Sequence, residues 1–140
     1  MKYKLKTKFD FDAAHRLVGY EGKCQNLHGH MWNVEIEIEG DKLDEVGILW
    51  DFTNVKKIKE RFDHKTILKN CDENEGIIIA IRNSMKGTKD YKDCVYLMKE
   101  NPTAENLAEL ILVYLKKSDD KLKYKIKIYE SPKSYAEVEG

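Results

Sequence analysis

The stretch from His28 to Glu39, HGHMWNVEIEIE, decides how this chain folds. His28, His30, Trp32, Val34, Ile36 and Ile38 share one parity, and Glu35, Glu37 and Glu39 share the other. Successive side chains of a strand point to opposite faces, so this is a half-buried β-strand with two histidines on its core side. Toward the N-terminus, Leu5, Thr7, Phe9, Phe11, Ala13 and His15 alternate with Lys4, Lys6, Lys8, Asp10 and Asp12, which predicts a strand whose buried face ends at His15. Toward the C-terminus, Tyr124, Ile126, Ile128 and Glu130 alternate with Lys123, Lys125 and Lys127. A last short strand is expected from Ser134 to Glu139, after the Ser131-Pro132 break. The first and third strands carry lysine on their outer faces and the second carries glutamate. Pairing either beside the second sets opposite charges across the ladder, which implies an antiparallel sheet.

Two helical stripes lie between the second and third strands: Phe52, Val55, Ile58 and Phe62, then Leu107, Leu110, Ile111, Tyr114 and Leu115. Thr103 is the expected N-cap of the second helix, and Asp51 or Thr53 that of the first. The class is α+β, in the order β-β-α-α-β-β, with residues 1–140 as one domain. The segment from about 70 to 100 reads as an insertion before the second helix. It is expected to hold a short helix around Ile77 to Ser84, a break at Gly87 and a strand at Val95 to Met98.

Lys plus Arg and Asp plus Glu each number 25, so the formal net charge is zero. No whole-molecule field draws the chain to nucleic acid or an anionic membrane, and a polyanionic ligand needs a local basic pocket. The N-terminal residues alternate charge with bulk and hold no apolar block. That argues against a signal peptide or a spanning helix, and a cytoplasmic protein is expected. Cys24, Cys71 and Cys94 are an odd set without framework spacing, as reduced thiols would be.

All four histidines fall in three short motifs: FDAAH ending at His15, CQNLHGH holding His28 and His30, and FDH holding His64. His28 and His30, two apart on one strand, can hold an ion from one side while His15 on the neighbouring strand closes a tripod. Three imidazoles suit zinc and leave its fourth position open to water or substrate. Two other readings stand beside this one: satisfied core histidines, or a closed structural site with Cys24 as fourth ligand. Asp63-His64 follows the first helix, either as a helix-end pair favoured by the dipole or as a base, its tautomer fixed by the carboxylate, that activates a thiol. Glu130 on a core parity needs a partner. That partner is a Lys or Arg, or a ligand presenting adjacent N–H donors such as the amino-amide edge of a pterin or guanine.

Taken together, FDAAH, C-x-x-x-H-G-H, Asp51-Phe52, Asp63-His64, the PTAEN run from Pro102 to Asn106 and Ile128-Tyr129-Glu130 resemble the 6-pyruvoyl-tetrahydropterin and 6-carboxy-tetrahydropterin synthase family. The motifs occur in the same order over nearly the whole chain. The resemblance implies a tunnelling fold, a four-stranded antiparallel sheet with two helices between strands two and three. It also implies trimers closing a β-barrel, stacked as a homohexamer with sites at subunit interfaces. It gives His15, His28 and His30 as Zn2+ ligands, Cys24 as catalytic proton acceptor, Asp63 and His64 as its relay, Glu130 as pterin anchor, and Thr103 and Glu105 as residues seating the ring. The Cys-to-His spacing resembles the bacterial 6-carboxy-tetrahydropterin synthases of queuosine (7-deazaguanine) biosynthesis. The implied substrate is then 7,8-dihydroneopterin triphosphate, with Arg16 and Lys23 as triphosphate candidates by sequence proximity. The alternatives are pyruvoyl formation or dihydropterin side-chain cleavage, and a non-catalytic zinc-stabilised binding module. The 70–100 segment is longer than in compact members.

Overall fold

A computed structural model describes residues 1–88 and 92–140, so the expected insertion includes three positions, 89–91, outside the described residues. Strands β1 (Tyr3–His15) and β2 (His28–Gly40) form a long antiparallel ribbon in which Leu5 faces Ile38, Phe11 faces Trp32 and His15 faces His28. Strand β5 (Lys123–Ser131) pairs antiparallel with β2, and β6 (Ser134–Glu139) with β5. Opposite charges face one another across both ladders: Lys8 faces Glu35 and Glu35 faces Lys127, while Lys6 faces Glu37 and Glu37 faces Lys125. These outer-face pairs set register more than they stabilise, since solvent-screened ion pairs contribute at most about 1 kcal/mol each.

Among the described residues the sheet has six strands rather than the expected four, in the order β4-β3-β1-β2-β5-β6. Strand β3 (Lys65–Lys69) runs parallel to the end of β1, pairing Ala13 to His15 with Lys65 to Ile67, and β4 (Val95–Met98) runs parallel to β3. The sheet is therefore mixed, not purely antiparallel. Strand β3 shows no alternation because Ile67 and Leu68, adjacent in sequence, are both fully buried. Ile67 joins the main core and Leu68 a second cluster with Ile78 and Val95. A strand buried on both faces loses the period-two pattern.

Helix α1 (Asn54–Phe62) and α3 (Ala104–Ser118) bury Ile58, Phe62, Leu107, Ile111 and Leu115 against Phe11, Trp32, Val34, Ile36, Ile126 and Ile128. The helix α2 (Glu75–Met85) packs on β3 and β4 through Ile78. Phe52 does not share the stripe of α1: the helix starts after it and its ring is half exposed. Thr103 caps α3, its hydroxyl accepting the Asn106 N–H at 3.1 Å. For α1, Thr53 occupies the N-cap position without a side-chain cap bond, and the Asp51 carboxylate accepts the Thr53 N–H at 2.9 Å. Among the described residues no helix is long and apolar enough to cross a membrane.

Candidate metal centre and neighbouring residues

The β1–β2 ribbon delivers three imidazoles to one point. His15 and His28 are cross-strand partners, and His30 sits opposite Ala13 on the same inner face. Glu130, two residues beyond Ile128 on β5, arrives on that face as well. One ligand atom from each of His15, His28, His30 and Glu130 lies within 4.8 Å of all the others. Trp32 walls the group, its ring edge-on to His15 and His30 at centroid distances of 4.9 and 5.4 Å.

Main-chain carbonyls set the ring tautomers. His15 Nδ1 lies 2.7 Å from Pro102 O, and His28 Nδ1 lies 2.7 Å from Asn26 O. A carbonyl only accepts, so each Nδ1 carries the proton and each neutral ring presents a bare Nε2 lone pair. Those two Nε2 atoms face one another at 3.1 Å. Glu130 Oε1 adds a third acceptor, 3.2 Å from His15 Nε2 and 3.1 Å from His30 Nε2. His30 Nε2 is buried and, despite that proximity, has no hydrogen bond of acceptable geometry.

Lone pairs held this close repel unless a proton or a metal cation lies among them. Burial of His15, above all other influences, pushes its pKa below the ordinary value of 6.5; the Pro102 carbonyl and Glu130 pull the other way without reversing the shift, and His28 and His30 add to the lowering. A proton is therefore disfavoured at His15, and a cation fits. Two nitrogens bound to tetrahedral zinc at about 2.0–2.1 Å stand about 3.3 Å apart, close to the spacing found here. A set of three imidazoles and one carboxylate also matches zinc chemistry.

Cys24 sits on a 3₁₀ turn, Lys23–Gln25, half buried, and is not among the gathered donors. The arrangement thus differs from a closed Cys-His-His-His site. Gly22 opens the turn at φ 146°, where an added Cβ would meet Tyr20 Cε1 at 2.9 Å. Cys71 and Cys94 are also free thiols.

Asp63 and His64 form the turn between α1 and β3. Asp63 terminates α1, and His64 adopts a left-handed φ of 59°, uncommon for a residue other than glycine. The pair grips the β1 backbone: Asp12 N–H donates to Asp63 Oδ1 at 3.0 Å and His64 N–H donates to Asp12 O at 2.7 Å. The His64 ring is largely exposed, its Nδ1 3.1 Å from Asp63 Oδ1. Burial would raise the Asp63 carboxyl, but the Asp12 N–H, the His64 ring and Lys59 together hold it below the usual carboxylate value. His64 borders an open recess of about 420 Å³ that is lined also by Asp12, Ala13, Ala14, Gly29, His30, Met31 and Lys65.

Thr103 and Glu105 occupy the start of α3, Glu105 exposed, directly after the Pro102 carbonyl that holds His15. Lys23 is exposed beside Cys24. Arg16 is engaged within the protein, donating to Gln25 O at 2.8 Å and Asn74 Oδ1 at 3.1 Å. Sequence reasoning found the three histidines by parity and recognised that Glu130 needs a partner. It missed the orienting carbonyls of Pro102 and Asn26, which have no side-chain signal, and two amides: that of Asn74, and that of Asn101, whose Oδ1 accepts the Val18 N–H at 3.0 Å while its Nδ2 donates to Val18 O at 2.9 Å. Asn101 is the more legible of these two, since it directly precedes the PTAEN run.

A family described as 6-pyruvoyl tetrahydropterin synthase matches residues 4–140. A 6-carboxy-5,6,7,8-tetrahydropterin synthase of Rickettsia bellii is 36% identical over 96% of this chain and 99% of its own length. One of Haemophilus influenzae is 30% identical over 98% of this chain and 99% of its own length. Among solved structures, an uncharacterized protein of Wolinella succinogenes superposes with a TM-score of 0.75 at 23% identity, covering 99% of this chain and 98% of that one. A Plasmodium vivax 6-pyruvoyltetrahydropterin synthase superposes with a TM-score of 0.69 at 18% identity, covering 100% and 98%. The structural likenesses speak to the fold alone.

Proposed function

Because the chain belongs to the 6-pyruvoyl tetrahydropterin synthase family and is a lyase of the tetrahydropterin synthase type, we propose that it is a zinc-dependent 6-carboxy-5,6,7,8-tetrahydropterin synthase. The reaction converts 7,8-dihydroneopterin triphosphate and water to 6-carboxy-5,6,7,8-tetrahydropterin, acetaldehyde and triphosphate, a step toward queuosine in the cytoplasm. The observation that carries this reading is the convergence of His15, His28, His30 and Glu130, whose ligand atoms all lie within 4.8 Å of one another.

In this reading His15, His28 and His30 hold Zn2+, which when bound acts as a Lewis acid toward the side-chain hydroxyls of the pterin. Cys24, as thiolate, takes and returns protons at the side-chain carbons. His64 relays those protons, with Asp63 fixing its tautomer; the low-lying carboxyl of Asp63, 3.1 Å from His64 Nδ1, suits that role. His64 is largely exposed and is not among the gathered donors, which supports a site completed between copies, His64 of one serving Cys24 of another. Glu130 grips the amino-amide edge of the pterin, a task for which its carboxylate must leave the imidazole cluster when substrate enters. Thr103 and Glu105 seat the ring. Lys23 meets the triphosphate; Arg16 is already committed elsewhere.

The assembly is proposed as a hexamer of two stacked trimers. Among the described residues no strand pairs with β1 from Tyr3 to Phe11 on the side away from β2, and β6 ends the sheet. Two unpaired edges on one protomer can pair with those of neighbours to close a ring. Residues 1–140 act as one domain, with 70–100 as an insertion in it.

Product analysis tests the reading. Acetaldehyde released from 7,8-dihydroneopterin triphosphate is expected; a retained three-carbon side chain would make the protein a pyruvoyl-forming enzyme instead. Cys24→Ala should keep fold and zinc while turnover falls by about 10²–10⁴, the usual range for a proton-transfer group. Unchanged turnover in that variant would remove the thiol from the mechanism. Unfolding of both Cys24→Ala and His15→Ala would point to a structural zinc module.

A further inference from the structure

Asn74 has no part in the chemistry above, yet its side chain is fully buried with both ends of the amide used. Nδ2 donates to Lys69 O, at the end of β3, at 2.8 Å. Oδ1 accepts from Arg16 Nη1 at 3.1 Å. The same Nη1 reaches Glu73 O at 3.4 Å, and Arg16 Nε donates to Gln25 O at 2.8 Å. Gln25 is the last residue of the Cys24 turn. Leu17, next to Arg16, donates its N–H to Cys24 O at 2.9 Å. One residue beyond Gln25, Asn26 O holds the His28 ring.

These bonds form a chain from the sheet to the thiol: Lys69, Asn74, Arg16, Gln25, Cys24. An apolar side chain could fill the place of Asn74 without needing two partners, but it could not hold a guanidinium. The rest of the turn is weakly tied, by Gln25 N–H to Gly22 O at 3.2 Å and Asn26 N–H to Lys23 O at 3.0 Å. A turn of three residues with so few internal bonds takes its position from whatever grips it.

We infer that Asn74 and Arg16 form a latch that fixes the Cys24 turn relative to the sheet, and that both are positioning residues for the thiol. The inference rests on the role of Cys24 proposed above. It gives the start of the 70–100 segment a task at the site, and it explains why Arg16 is spent inside the protein.

The test combines turnover with a readout that does not need turnover. In the zinc-loaded enzyme, Asn74→Leu and Arg16→Lys should each lower kcat with 7,8-dihydroneopterin triphosphate about tenfold, with KM changed less than about twofold, because misplacing a reacting group by a fraction of an ångström costs rate rather than binding. The double variant should fall no further than either single one, since both cut the same link. Asn74→Asp, which keeps the acceptor for Arg16, should recover most of the loss. Iodoacetamide alkylation of Cys24, followed by peptide mapping with Cys94 as internal reference, should speed up several-fold in Asn74→Leu and Arg16→Lys. Wild-type kcat and Cys24 alkylation in both variants would overturn the latch, as would losses that multiply in the double variant. Should Asn74→Leu fail to fold, Arg16→Lys and Asn74→Asp carry the same comparison. Full turnover in Cys24→Ala would overturn the role of the thiol instead, and the alkylation rates would then decide the latch alone.

Discussion

The two ends of the β1–β2 ribbon obey one rule and do opposite things. At the Tyr3–Gly40 end the inward parity supplies Leu5, Thr7, Ile36 and Ile38, with Ile36 and Ile38 fully buried. At the His15–His28 end the same parity supplies three imidazoles, with His15 only 1% exposed. Apolar side chains there would need nothing further. Imidazoles need partners for two nitrogens each, and the fold supplies them on one side only: Pro102 and Asn26 carbonyls satisfy Nδ1 of His15 and His28, while the Nε2 lone pairs converge unsatisfied. One end of the ribbon is complete as folded, and the other gathers donor atoms that could hold a metal ion, so one strand pattern makes both a core and a candidate metal centre.

Substitutions at the two ends should separate these roles. The largest effect is expected from His15→Ala. Zinc affinity should fall by well over the 10–100-fold typical of losing an outer-shell partner, and turnover should vanish with it. Competition with a chromophoric chelator measures this, and stoichiometric zinc retained at nanomolar free metal would break the comparison. Next comes Ile36→Ala at the other end, which should cost about 2–5 kcal/mol in stability with zinc affinity unchanged. Denaturant unfolding beside zinc titration checks it; a parallel loss of zinc would mean that the ends are coupled. The smallest is Lys8→Ala on the outer face, which breaks the 3.2 Å contact with Glu35. A change of less than about 1 kcal/mol, shrinking further in high salt, is expected from thermal unfolding at two ionic strengths.

The antiparallel ribbon, β5, β6, α1 and α3 are legible because each has one wet face and one dry face, so its period survives in the residue order. Helix α2 and strand β4 were also legible within the 70–100 segment, from Ile77 to Ser84 and from Val95 to Met98. Strand β3 was not, since Ile67 and Leu68 are buried on opposite faces and erase the alternation. Phe52 misled in the other direction, matching the stripe of α1 while lying outside the helix and exposed. At the site, parity alone gathered His15, His28 and His30. Glu130 was expected beside a Lys or Arg or a ligand edge, and it lies against imidazoles.

What the residue order determined by itself is whatever depends on neighbours along the chain: which side chains share a strand face, where helices begin, and that three histidines and a carboxylate point inward. What only the tertiary structure decided is whatever depends on partners remote in sequence. The Pro102 carbonyl that sets the His15 tautomer lies 87 residues away, and the Asn74 amide that grips Arg16 lies 58 away. Backbone carbonyls and single amides carry no periodic signature, so no local reading can assign them a partner. Their roles exist only once the sheet has brought distant segments within hydrogen-bonding reach.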